Sequence, residues 1–207
     1  MKKILIIIAM FLFVGCNSAY MEYLLTPVKF SINISDLPIE KIKNANKPSA
    51  GNSFWSVLHY VDEFRQRTDE KYLSAQIFDG KFSNSAVKDR ELNVDFLIDT
   101  NSVSFQLFEY KDKNPKKGYF SSGHIYTVKT LQNNIKSSFT ITQYKGSDRF
   151  TFSPKDGITI INMLLDDDNN IQFYMTDNEY WSEYRFTLPT KGFGYKYRQM
   201  LEEYGIL

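Results

Sequence analysis

Apolar and polar positions alternate with a period of two along much of this chain, and that rhythm sets the expected architecture. Val28, Phe30, Ile32 and Ile34 alternate with Lys29, Ser31 and Asn33, the pattern of a half-buried strand. From Tyr72 onward it predicts strands over Tyr72–Phe78, Glu91–Ile98, Val103–Tyr110, His124–Leu131, Ser138–Tyr144 and Arg149–Ser153. Turn-forming links separate them: Asp79-Gly80, Asp99 to Ser102, and Lys145 to Asp148. Leu92, Val94, Phe96 and Ile98 share one face, and Val103, Phe105 and Leu107 answer them across a tight hairpin. Ile171–Met175 and Tyr184–Leu188 predict a final hairpin around Thr176 to Glu179.

Helical spacing breaks this rhythm in three places. Behind an N-cap at Asn52-Ser53, Phe54, Val57, Leu58, Val61 and Phe64 follow one helical face, with Arg65 to Arg67 in the last turn. Over Lys155–Leu165, Ile158, Ile161, Leu164 and Leu165 fit a short helix, although Gly157 and the β-branched residues also suit a strand. Phe193, Tyr197, Met200, Leu201 and Tyr204 form a stripe on a terminal helix that Thr190 could cap and Gly205 ends. Asp36 to Asn52, with its prolines and lysines, reads as a loop. The sum is roughly seven to nine short strands joined by short turns, hence a largely antiparallel sheet. The expected fold is mainly β: an antiparallel sandwich or partly open barrel, with an N-terminal-side helix and a C-terminal amphipathic helix. Aromatic residues make up 16% of the chain, which supports this, since they favour strands.

The first residues carry a different signal. Lys2 and Lys3 precede an apolar run from Ile4 to Val14. At about 1.5 Å per residue the run crosses roughly half of a hydrocarbon core about 30 Å thick, so it suits a signal peptide better than a membrane span. Phe13-Val14-Gly15-Cys16 resembles the lipobox of bacterial lipoproteins, with Phe13 where leucine is usual. Cleavage after Ala19 is the competing reading, with Asn17 poorly placed for it. The resemblance implies a signal peptide over 1–15, a lipidated short tether over 16–26 and a single β-rich domain over 27–207. It also implies a cell-envelope address, anchored through acyl chains on Cys16, and Asn17 favours the outer membrane in a diderm host. A single chain anchors marginally; two or three anchor firmly. Cys16 is the only cysteine, so its lipidation leaves no thiol for disulfides, metal or nucleophilic chemistry.

The run from the short helix through the strand pair to Phe186-Thr187-Leu188-Pro189-Thr190-Lys191-Gly192-Phe193 resembles the C-terminal end of small periplasmic β-sandwich proteins of the invasion-associated locus B type. Those proteins usually carry cysteine pairs, absent here; the resemblance implies a sandwich with a docked terminal helix, and no activity is carried over from it.

No catalytic set stands out. His59 with Asp62 and Glu63 would share a helix face, but His59 and His124 are the only histidines and belong to no motif. Asp166 to Asn170 lacks the order of a calcium loop. Ser83, Ser85 and Ser121-Ser122-Gly123 form no nucleophile elbow, and Gly192-Phe193-Gly194 no phosphate loop. Lys111, Lys113, Lys116 and Lys117 read as a solvated loop tip, or as a phosphate-facing one. The formal net charge of +1 argues against nucleic acid. No cofactor is expected. Phe108, Tyr110, Tyr174 and Trp181 fall on the nominally outer face of their strands. Either a helix, 54–66 or 191–204, covers that face, or Tyr110, Tyr174 and Trp181 form a ligand platform for a glycan or protein partner. The expected function is a non-enzymatic binding or structural module, held to the membrane at Cys16. An envelope hydrolase using carboxylates and an inhibitor or immunity-type lipoprotein are the alternatives.

Overall fold

A computed structural model describes residues 31–48, 53–118, 123–177, 179 and 181–207. The signal peptide, Cys16, the tether, and the Val28 and Phe30 positions of the expected first strand lie outside the described residues.

Among the described residues, nine antiparallel strands follow in chain order: β1 (Ser56–Val61), β2 (Arg67–Ser83), β3 (Arg90–Ile98), β4 (Val103–Glu109), β5 (His124–Gln132), β6 (Ile135–Gln143), β7 (Phe150–Thr151), β8 (Ile171–Asp177) and β9 (Ser182–Leu188). Their order in the sheet is β1-β2-β3-β4-β7-β6-β5-β8-β9, and β9 returns to β2. Eight strands thus close into a barrel and β1 is an extra strand. β2 makes this possible by its length. Its first half pairs with β1, from Val61↔Arg67 to Ser56↔Ser74, and its last residues pair with β9 through Lys81↔Arg185, Phe82↔Tyr184 and Ser83↔Glu183.

The period-two pattern fills the barrel. Leu73, Ala75 and Ile77, then Leu92, Val94, Phe96 and Ile98, then Val103, Phe105 and Leu107 all face inward and are buried. Aromatic rings occupy the centre: Phe105 stacks between Phe96 at 5.9 Å and Phe150 at 5.3 Å, and Phe173 stacks on Phe186 at 4.8 Å. Edge-to-face and offset contacts of this kind add to the apolar area each ring removes from water.

Helices close one end. The described helices are α1 (Ile39–Lys43), α2 (Pro154–Leu164) and α3 (Phe193–Glu203); none is long and apolar enough to cross a membrane. At the start of α2, the Ser153 hydroxyl oxygen accepts from Asp156 N–H and its O–H donates to the Asp156 carboxylate, with Pro154 in the first turn. Ile160, Ile161, Leu164, Phe193, Tyr197, Met200 and Leu201 point into the barrel end and α1 packs on α3. Trp55 plugs the gap beside them, its indole N–H donating to the Pro189 carbonyl at 2.9 Å and its ring 5.0 Å from Phe193.

Several expectations need correction. Residues 54–66 are not a helix: they form β1 and the turn into β2. Leu58 and Tyr60 face one side of this strand, Val57 and His59 the other, and both sides carry apolar groups, so the spacing imitates a helical stripe. Asp62 Oδ1 accepts from Phe64 and Gln66 N–H and closes the turn. Residues 31–34 form no strand; Ile34–Asp36 is a 3₁₀ turn capped by Asn33. The loop read over 36–52 contains α1. Asp79-Gly80 is no turn but an irregularity inside β2, where the register with β3 shifts between Ile77 and Gly80 and a Cβ at Gly80 would meet the Leu92 carbonyl at 2.8 Å. Gly192, at φ 81°, rather than Thr190, occupies the N-cap of α3. The ambiguous 155–165 segment is helical.

Candidate functional site

Polar chemistry gathers in two places. The first is the barrel rim opposite the helices, where inward positions turn polar at the strand ends. His124 and Asp177 occupy the inward phase of β5 and β8, and His124 Nε2 lies 2.7 Å from Asp177 Oδ1 while Nδ1 lies 3.6 Å from Glu179. Across the rim the Tyr184 hydroxyl donates to Glu109 Oε1 at 2.7 Å and accepts from Lys116 Nζ, which also pairs with Glu109 at 3.1 Å. Burial, then the Glu109 carboxylate, pushes the Tyr184 phenol far above its ordinary range. The Gln143 amide donates to the Lys116 and Ser147 carbonyls, and Gly118 bridges to Lys145, so residues 110–118 after β4 are tied to the strand ends at the mouth. The Glu109 carboxylate and the Tyr184 phenol serve this closure through Lys116, while His124 is held by Asp177 and faces Glu179 in the β8–β9 turn.

The second place is the outer wall. A groove of about 1020 Å³ crosses β5, β6, β8, β9 and β2, lined by Lys81, Lys129, Lys136, Gln172, Tyr174 and Arg185 among others. Sheet register sets its geometry. Lys129 sits opposite Tyr174, Tyr174 opposite Arg185, and Arg185 opposite Lys81. One row thus reads cation, tyrosine, cation, cation on adjacent strands about 4.8 Å apart. Burial, then the neighbouring Glu183 carboxylate, raises the Tyr174 phenol. Arg185 pairs with Asp89. Among the described residues, Lys81, Lys129 and Lys136 form no ion pair.

The sequence-derived candidates are dispersed over these places. Tyr174 is in the groove wall. Tyr110 lies just past β4 at φ 57°, and that left-handed turn swings its ring back over the rim onto Phe82 at 4.8 Å, so strand parity misplaces it. Trp181 is in the β8–β9 turn, 81% exposed. The helices expected to cover the outer face are elsewhere: α3 packs at the barrel end, and 54–66 is strand and turn. His59 Nδ1 meets the Thr68 carbonyl at 2.9 Å across the β1–β2 ladder, and Asp62 holds its turn, so the helix-face cluster with Glu63 is not formed. Asp166 accepts from Asn133 and Asn169, and Asp167 from Gly192 N–H; burial, more than any neighbouring charge, raises the Asp167 carboxyl. The loop lysines divide: Lys116 turns inward to Glu109, and Lys111 pairs with Glu91 at 3.0 Å. Among the described residues no three potential metal-binding side chains converge.

The rim cluster escaped sequence reasoning. Its signal was available: His124 shares its phase with Tyr126 and Val128, and Asp177 with Phe173 and Met175, so polar residues interrupt apolar phases at strand ends. The groove row had no local signal, since it depends on the pairing of four strands. Compared with family models, curated proteins and solved structures, the chain has no significant match.

Proposed function

We propose that the protein is a non-enzymatic binding module of the cell envelope, anchored through lipid on Cys16, that meets its ligand on the outer wall of the barrel. The observation that carries this reading is the groove built around Tyr174, Lys129 and Arg185. The interior offers a contrasting environment: it is filled by Phe96, Phe105, Phe150, Phe173 and Phe186 along its described length. The rim's histidine and carboxylates are engaged with one another and with Lys116, which favours binding over turnover. The Phe13 to Cys16 motif supports the anchor.

Two experiments test the halves separately. Cys16→Ala is expected to abolish acylation and leave the precursor uncleaved; a mature, membrane-bound variant overturns the anchor. Charge reversal of Lys129 and Arg185 together is expected to lower retention of the detergent-solubilised full chain on host envelope fragments about tenfold. Unchanged retention, with unchanged folding by circular dichroism, overturns the groove as the binding site.

A further inference from the structure

The chemistry of the groove narrows its ligand, provided that the binding reading above holds. We infer that it takes an acidic saccharide chain laid across the strands, with one sugar ring on Tyr174 and acidic groups on the cations to either side.

Three observations carry this. First, the cations are spaced along a line rather than gathered at a point. Lys129 is one strand from Tyr174 on one side, Arg185 one strand and Lys81 two strands on the other. The row from Lys129 to Lys81 therefore spans about 14 Å, which suits a polymer with charges at intervals better than a single anion. Arg185 is already paired with Asp89, but both side chains are about half exposed. So exposed a pair contributes little to stability, and an incoming carboxylate or phosphate competes for the guanidinium at little cost.

Second, the backbone has nothing to offer a peptide. β5 is paired on both sides, by β6 and β8, and β8 by β5 and β9. An extended peptide gains most of its affinity by adding to a free strand edge, and this wall has none at the row. Recognition must come from side chains. A second row, Lys136 opposite Leu131, Leu131 opposite Gln172 and Gln172 opposite Thr187, supplies a further cation with amide and hydroxyl groups. Those are partners for sugar hydroxyls.

Third, the row holds a single aromatic ring, Tyr174, on β8 between Lys129 and Arg185. Single-stranded nucleic acid is gripped by successive aromatics, one base after another; here one ring is flanked by charge. An amphipathic phenol of this kind presents an apolar face to the C–H side of a pyranose.

The test uses the full chain in detergent and titration calorimetry with four probes: oligogalacturonate, a maltooligosaccharide of equal length, poly-L-glutamate and oligothymidylate. Oligogalacturonate is expected to bind, more weakly as salt rises, and the neutral maltooligosaccharide about tenfold more weakly or not at all. Tyr174→Ala is expected to weaken oligogalacturonate about tenfold, and Lys129→Gln or Lys81→Gln several-fold, with thermal midpoints unchanged. Equal binding of the neutral saccharide overturns the acidic class but leaves the groove in place. Tighter binding of poly-L-glutamate or oligothymidylate, or indifference to Tyr174→Ala, overturns the saccharide. Failure of the parent reading shows differently, as envelope retention that ignores charge reversal.

Discussion

Tyr184 shows how much one hydroxyl organises at the rim. It donates to Glu109 and accepts from Lys116, and its ring stacks on Phe82, which in turn carries Tyr110. Tyr184→Phe keeps the ring and removes the bridge, leaving two mostly buried charged groups with one partner fewer. The expected loss is about 1–3 kcal/mol, read from urea denaturation; a change under about 0.5 kcal/mol would show that the bridge is idle. Asp95 offers a second test of burial. It sits on the outer face of β3, its Oδ1 buried without a hydrogen-bond partner among the described residues. Burial, opposed by a hydrogen bond from Gln76, holds its carboxyl above the ordinary 3.8. A carboxyl raised in the folded state keeps a proton that the unfolded chain releases. Its contribution therefore favours folding at low pH and is lost as pH rises through the interval between 3.8 and the raised value. Asp95→Asn is expected to gain stability relative to the parent between about pH 3 and about pH 7. Denaturation midpoints that differ equally at the two pH values would contradict it.

At the scale of elements, the β1–β2 arm separates what a pattern can say from what pairing decides. Tyr60 on β1 packs on Tyr72 at 4.7 Å, donates to Asp99 at 3.0 Å and lies beside Arg149. That contact set, distant in sequence, selects strand over helix for residues that satisfy both periods. In a helix, Val61 and Phe64 would belong to the buried stripe; in the arm they are 60% and 75% exposed. Val61→Lys and Phe64→Ser are therefore expected to change the unfolding free energy, read from urea denaturation, by no more than about 0.5 kcal/mol, whereas a core position would lose several-fold more. A large loss for both would restore the helix. By contrast β3 and β4 were legible at once. Leu92 to Ile98 and Val103 to Leu107 alternate cleanly, and Asp99, whose Oδ1 accepts from Asn101 and Ser102 N–H at 2.7 Å, is a turn residue in its own right. The Asp79-Gly80 pair misleads because glycine serves a close backbone approach as readily as a turn. Only the position of Leu92 tells the two apart.

For the whole molecule, alternation was sufficient to foresee an antiparallel, mainly β fold with a docked terminal helix. Closure was not legible, because it depends on which strands meet rather than on what any strand contains. The same limit hid both polar assemblies. His124 and Asp177 are 53 residues apart, and Lys129 reaches Lys81 only through β8 and β9. The unusually long β2 has one more consequence, for the order of events. Near its far end, Lys81 and Phe82 pair with β3 on one side and β9 on the other, so the partner that seals the barrel is the last of the described strands to be synthesised. A nascent chain can settle β1 to β4 early, yet the seam from Lys81 to Ser83 must wait for Glu183 to Arg185. Such distant pairings are slow to form, and until they do the aromatic interior stands open along one side. A chain cut short before β9 is then an unsealed sheet with exposed edges, a substrate for chaperones and proteases rather than a smaller version of the same protein.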